Sequence, residues 1–325
     1  MVSFHTRITP MNRVLITGCA GYIGSHLARA LGAQGVAVRG LDRDAVRMEA
    51  LARVGVEPIV GDVDDQTCLR TAVQGCDYVY HLAGSPLGTA EQIIAANVRG
   101  IRNMVALCGP GSGVKLLLYA SSGALYPSGS QWLDEDTLPV PSFGYAQAKY
   151  VAEQELLTAY TTHGVPVVLA RIAGVYGPHG PALMIKQVRR GQFPLIGGGK
   201  GYATYIHIED TVTALLRLSE RGVPGRIYNL ADDCPVTIRE FYNYLAMLLG
   251  GPPPRTLHPA LAGVLVRLMT WVAGLSGRAA PLPTDLVAMA AVSHRISNRR
   301  MRDELGVELR YPTYREGLPT CAVEA

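Results

Sequence analysis

The sequence predicts an α/β fold, a doubly wound parallel sheet with helices on both faces and a smaller C-terminal domain. Three observations carry that expectation. Short apolar runs alternate with helical stretches through the first half of the chain, the order that sets parallel strands side by side in one sheet. The runs are continuously apolar, as strands covered on both faces require. A glycine-rich turn follows the first of them.

The first strand is RVLIT, Arg13–Thr17, followed by a helix over 21–33. Further strands are expected at 36–41, 58–60, 77–82 (DYVYHL), 114–120 (VKLLLYA) and 165–171 (VPVVLAR). Between the fourth and fifth strands, 90–108 reads as a helix. Between the fifth and sixth, 145–162 does so, ended by Gly164 and Pro166. From Ala173 the pattern loosens into Gly/Pro-rich loops, with strand-like stretches at 202–208 and 226–230 and a helix over 235–250 opened by Thr237. This assigns 11–172 to a first domain, with 202–234 returning to it, and 173–201 with 235–325 to a smaller second one.

Composition narrows the function classes. A chain of 325 residues that is 48% hydrophobic and 17% charged buries a full core, which excludes disorder for most of it. The net charge of +4 is scattered, with basic pairs such as Arg189-Arg190 and Arg299-Arg300 but no longer run, so no nucleic-acid stripe is expected. Six cysteines form no C-x-x-C pair and no metal-type cluster with the eight histidines; they read as reduced thiols of a cytoplasmic protein with no metal centre. Residues 1–10 are polar and lack the apolar core of a secretory signal. The segment 259–274 is nearly all apolar, but it is short of the ~20 residues a span needs and carries Arg267, so no membrane span is expected.

Directly after the first strand stands Gly18-Cys19-Ala20-Gly21-Tyr22-Ile23-Gly24. Glycines here allow a sharp turn, bring backbone N–H groups against a pyrophosphate and pack a helix close to the sheet, while the helix N-terminus adds roughly half a positive charge. Asp42, 18 residues beyond Gly24 at the end of the second strand, is placed to accept hydrogen bonds from adenosine ribose hydroxyls and to repel a 2′-phosphate. NAD is therefore favoured, while Arg43 beside it keeps NADP open, since a guanidinium pairs with that phosphate. Asp62, in Gly61-Asp62-Val63, is placed either for the adenine amine or simply as a turn former. Leu82-Ala83-Gly84 ends the fourth strand with residues small enough for a close cofactor approach.

The fifth strand runs into Ser121-Ser122-Gly123-Ala124-Leu125-Tyr126, and 23 residues after Ser122 comes Tyr145-x-x-x-Lys149. A spacing of four sets phenol and ammonium on one helix face. A nearby Lys⁺ and an oxidised nicotinamide both favour phenolate, so the Tyr145 pKa is expected to fall from ~10 toward working pH. With the glycine turn and Asp42, these residues resemble the extended short-chain dehydrogenase/reductase superfamily, the NAD-dependent epimerase/dehydratase family, over about residues 12–320. Asn97-Val98-x-Gly100, Arg171 with Val175-Tyr176-Gly177-Pro178, and Tyr205-Ile206-His207-Ile208-x-Asp210 are similar to further landmarks of that superfamily; Pro127 departs from its usual Gly.

The resemblance implies a Rossmann-type nucleotide domain and hydride transfer at nicotinamide C4. Ser122 would hold the substrate oxygen, Tyr145 move its proton, and Lys149 also bind the nicotinamide ribose. The candidate cofactor set is Gly18, Gly21, Tyr22, Ile23, Gly24, Asp42, Arg43, Asp62, Val63, Leu82, Ala83, Gly84 and Asn97, with Tyr145 and Lys149. A homodimer through 90–108 and 145–162 is implied as well. His207 is expected to be structural.

Three departures bear on the substrate. Where the family's dehydratases carry an Asp-Glu pair, this chain has Gly123 and Ala124, which argues against water loss. Where its sugar-nucleotide epimerases hold a diphosphate with an Asn and an Arg, it has Gly174 and Ala203, unless Lys200, Arg189 or Arg190 compensates. The apolar helix expected over 260–275 suits either a cover for a hydrophobic substrate or plain core packing. The first reading is thus an NAD(P)-dependent dehydrogenase/reductase for a secondary alcohol or ketone on a non-nucleotide, fairly apolar substrate. The alternative is an NAD-dependent sugar-nucleotide epimerase with the same Ser-Tyr-Lys trio. The intact trio speaks against a third, non-catalytic dinucleotide sensor.

Overall fold

The strand Arg13–Thr17, β1, sends Val14 and Ile16 into one buried apolar cluster and Leu15 into another on the opposite face. That alternation is why a continuous apolar run is needed. The computed structural model describes residues 13–84, 93–180, 182–275, 287–288 and 292–322. After β1 come β2 (Ala37–Asp42), β3 (Glu57–Val60), β4 (Tyr78–His81), β5 (Leu116–Ser122), β6 (Trp132–Leu133), β7 (Val167–Ile172), β8 (Gly174–Tyr176), β9 (Pro194–Ile196), β10 (Tyr202–Ala203), β11 (Tyr205–His207), β12 (Ile227–Leu230), β13 (Val236–Thr237), β14 (Arg255–Leu257) and β15 (Arg295–Ile296). Seven of these form one all-parallel sheet in the order β12-β7-β5-β4-β1-β2-β3.

The longer helices among the described residues are α1 (Tyr22–Ala33), α2 (Ala45–Ala52), α3 (Gln66–Val73), α4 (Gly100–Leu107), α5 (Gly144–His163), α6 (Ala182–Arg189), α7 (Ile208–Arg221), α8 (Ile238–Leu248), α9 (Pro259–Leu275) and α10 (Arg299–Leu305). One sheet face is covered by α1, α7 and α10 through Leu27, Leu215 and Met301, the other by α3, α4 and α5 through Leu69, Met104 and Leu156. The doubly wound parallel architecture read from the sequence is the one observed. Strand order reverses at β1, between β2 and β4, and a crevice opens there beyond the carboxyl ends of the strands.

Two expected elements differ. The stretch 202–208 is two short strands broken at Thr204. Tyr202–Ala203 pairs with β13, while Tyr205–His207 pairs with β8. The Thr204 hydroxyl interrupts the run by donating to the His294 carbonyl oxygen at 3.2 Å and accepting from the Ile296 N–H at 2.9 Å. His207 ends the strand as N-cap of α7, its ring accepting from the Glu209 N–H, and its other nitrogen meets the Thr320 hydroxyl at 3.0 Å. The helix expected over 90–108 opens, within the described residues, with a π-helical turn over Ala95–Arg99; its residues 90–92 lie outside them. Thr237 opens α8 with Glu240 in a reciprocal capping box.

Candidate active site

Gly18 leaves β1 with φ +70, and a Cβ there would lie 2.8 Å from the Ala83 backbone nitrogen. One on Gly24 would collide with the Gly18 carbonyl oxygen, so the first turn of α1 presses directly on the glycine turn. No side chain caps that helix at Gly21. Its amide end therefore faces a cleft lined by Gly18, Gly21, Asp42, Arg43, Asp62 and Val63, with Leu82, Ala83 and Gly84 opposite. A glycine cradle that any Cβ would fill, set at a helix N-terminus, fits a pyrophosphate.

Asp42 anchors this turn: its carboxylate accepts from the Ala20 N–H at 3.0 Å and the Asp44 N–H at 3.1 Å. Arg43 reaches across the cleft to Asp62 at 3.3 Å. The guanidinium that kept NADP open is thus paired with a carboxylate. Tyr22, placed in the cofactor set by sequence, turns away, its hydroxyl donating to the Pro178 carbonyl oxygen at 2.9 Å. Ile23 packs against the core.

Ser122 is the last residue of β5, and its Oγ accepts from the Ala124 N–H at 3.2 Å. Lys149 is almost wholly buried; its Nζ donates to the Ala120 carbonyl oxygen at 2.7 Å, and lies 4.6 Å from the centre of the Tyr119 ring and 5.9 Å from that of Tyr145. Burial lowers its pKa to about 7, partly offset by the Glu153 carboxylate one helical turn on. The fold alone does not produce the expected lowering of the Tyr145 pKa, in which the positive nicotinamide of the bound cofactor was to share. Burial raises that pKa to about 12, with only the hydrogen bond to Ser122 pulling it down. Desolvation outweighs that hydrogen bond.

Gly84 gathers the rest of the set. A Cβ there would lie 3.2 Å from Lys149 Nζ and 2.6 Å from Asn97 Oδ1. Asn97, on the π-helical turn, donates from Nδ2 to the Ile93 carbonyl oxygen at 2.8 Å.

Sequence reasoning missed the layer behind this site. The His81 ring meets the Thr17 hydroxyl at 2.8 Å and stacks on Tyr119, and burial lowers its pKa to about 3. Glu153 and Arg171 form a buried two-pronged ion pair at 3.0 and 2.8 Å. The four-residue step from Lys149 to Glu153 was the available signal for that carboxylate.

A second, mainly apolar cleft opens beside Ser122. Phe143, Ile172, Tyr202, Tyr205, Val292 and Ile296 wall it. Gly123, Ala124, Gly174 and Ala203, the four substrate-bearing departures, all line it. A Cβ on Gly123 would collide with the Ile296 side chain, and one on Gly174 would lie 2.8 Å from the Tyr205 ring. The spaces that an acid and an asparagine would take are thus filled by hydrocarbon. Lys200, Arg189 and Arg190 do not line this cleft. Nor does any described residue of α9, so of the two readings of 260–275 the cover for this cleft is not met; α9 buries Ala262, Val266 and Ala273 and exposes Leu261, Val264, Leu268 and Trp271.

Fold and crevice together define an NAD-binding enzyme of the extended short-chain dehydrogenase/reductase class. The profile described as Epimerase, NAD dependent epimerase/dehydratase family, matches residues 14–231, and the chain belongs to that family. NAD is its cofactor. A 4-hydroxy-2-methyl-3-oxo-4-farnesyl-3,4-dihydroquinoline-1-oxide ketoreductase of Stigmatella aurantiaca is 30% identical over 242 residues, 72% of each chain. A 3-beta-hydroxysteroid dehydrogenase of Mycolicibacterium neoaurum is 28% identical over 335 residues, covering 94% of this chain and 89% of that one. A dTDP-glucose 4,6-dehydratase of Streptomyces venezuelae, solved with NAD, shares the fold at TM-score 0.79 with 22% identity over 96% of each chain.

Proposed function

We propose that the chain is an NAD-dependent dehydrogenase/reductase interconverting a secondary alcohol and a ketone on a fairly apolar, non-nucleotide substrate. The observation that carries this reading is the cleft beside Ser122, where Tyr205 and Ile296 fill the positions a sugar-nucleotide enzyme keeps for polar groups. The two relatives named for a farnesyl-bearing oxo compound and a hydroxysteroid support it. Bound NAD supplies the hydride acceptor at nicotinamide C4. Ser122 Oγ holds the substrate oxygen by a hydrogen bond, and Tyr145 takes the alcohol proton, or returns it to the ketone. Lys149, beside Gly84 at the cofactor edge, supplies the charge that stabilises phenolate as the proton leaves. Gly18, Gly21, Asp42 and Gly84 hold the dinucleotide.

The test is turnover of apolar secondary alcohols and ketones, with Tyr145→Phe as control. The variant is expected to lose about a thousandfold in kcat, within the usual range for a positioned acid/base, while still binding NAD. Epimerisation of a UDP- or dTDP-sugar without oxidation of any apolar alcohol would sink the reading, as would NAD that cannot be exchanged from the purified protein. The same reading carries a cytoplasmic homodimer through the outer faces of α4 and α5, where Val151 is exposed. Light scattering is expected to give twice the chain mass.

A further inference from the structure

The helix α9 is apolar on the side it shows to solvent. Ala262, Val266 and Ala273 are buried, while Leu261, Val264, Leu268, Trp271 and Val272 are exposed on the other side of the helix, Val264 at 60% and Trp271 at 63%. Along the sequence the charge is one-sided: no Asp or Glu occurs in 241–284, whereas Arg255, Arg267 and Arg278 do. Arg267 is itself exposed beside the apolar face.

We propose that α9 is a membrane-surface anchor that lies in the interface of an anionic lipid bilayer, its outer face in the acyl boundary and Arg267 on the headgroups. This stands independently of the substrate reading. A helix of 17 residues is about 25 Å long, short of the ~30 Å hydrocarbon core, and among the described residues no helix is long and apolar enough to cross a membrane. The helix therefore lies on the surface rather than spanning. A second copy is the poorer occupant. A two-fold contact through this face would bring two acid-free, arginine-bearing segments together with no carboxylate from either to pair them.

The test uses the full chain carrying Trp132→Phe, which leaves Trp271 the sole tryptophan of the two. Vesicles of phosphatidylcholine alone are compared with vesicles of phosphatidylcholine and phosphatidylglycerol, by co-sedimentation and by tryptophan emission. Binding to the anionic mixture, a blue shift of Trp271, quenching by brominated acyl chains and weakening of about tenfold at high salt are expected. Val264→Glu with Leu268→Glu is expected to abolish all four while NAD binding stays unchanged. The proposal is overturned by absence of binding, by equal binding to both vesicles, or by binding that survives the double substitution. A mass by light scattering that falls to that of one chain in the Val264→Glu/Leu268→Glu variant, with no protein on vesicles, overturns it as well.

Discussion

At the residue scale, Lys149 shows function set against stability. Its amine is fully enclosed, hydrogen-bonded to Ala120, and held at about 7 rather than the usual lysine range. A base lowered in the fold stabilises the folded chain fully only above its ordinary pKa. That contribution is lost as pH falls from there to about 7, so near neutrality the buried ammonium weighs against folding. Lys149→Met, which fills the space without a charge, is expected to raise the thermal midpoint by several degrees while cutting kcat at least a hundredfold. A lower midpoint in thermal denaturation would show that the Ala120 hydrogen bond outweighs the cost of burying the charge. Gly18, Asp42, Ser122, Tyr145 and Lys149 were legible in the sequence because each is announced by a short spacing. The filling of the cleft was not. Ile296 meets Gly123 from the far end of the chain, and no local pattern reports a contact over that separation.

At the element scale, the ion pair joining α5 to β7 fixes the helix that carries Tyr145 and Lys149. Glu153 and Arg171 are both buried, so removing one charge strands the other. Glu153→Gln is expected to cost about 3–5 kcal/mol in urea unfolding, with Glu153→Leu/Arg171→Met recovering most of it. An unchanged midpoint for the single variant would show that the pair does not hold the helix. The strands of the central sheet were readable because burial on both faces demands continuous apolar runs. The stretch 202–208 was misread for a physical reason: its residues favour strand throughout, and only the Thr204 hydroxyl, tied to 294–296, breaks it. The apolar sequence of α9 was legible, but hydrophobicity alone does not say whether a helix faces the core or the outside.

At the scale of the whole molecule, buried titratable groups set the acid limit. His81 and His207 are lowered to about 3 and about 4, so both stay neutral in the fold. Their contribution is present above the ordinary histidine pKa of about 6.5 and lost as pH falls through the window toward 4. Asp232 works the other way. Raised to about 8 by burial, its neutral carboxyl stabilises the fold increasingly as pH falls from 8 toward the ordinary aspartate value. The lowered histidines thus withdraw stability between about 6.5 and 4 while Asp232 returns part of it, a loss to be read from urea midpoints. Asp232→Asn is expected to steepen that loss, and a flat profile would contradict the assignment. Finally, the wall of the apolar cleft is late in the chain. The His294 ring meets the Tyr126 carbonyl oxygen across 168 residues, and β15 closes on β6 beside it. Contacts of such separation carry the largest loop-closure cost. The residues that line the nucleotide crevice are thus synthesised well before those that close the apolar cleft, so on the proposed reading selectivity for the substrate is the last property this protein acquires as it folds.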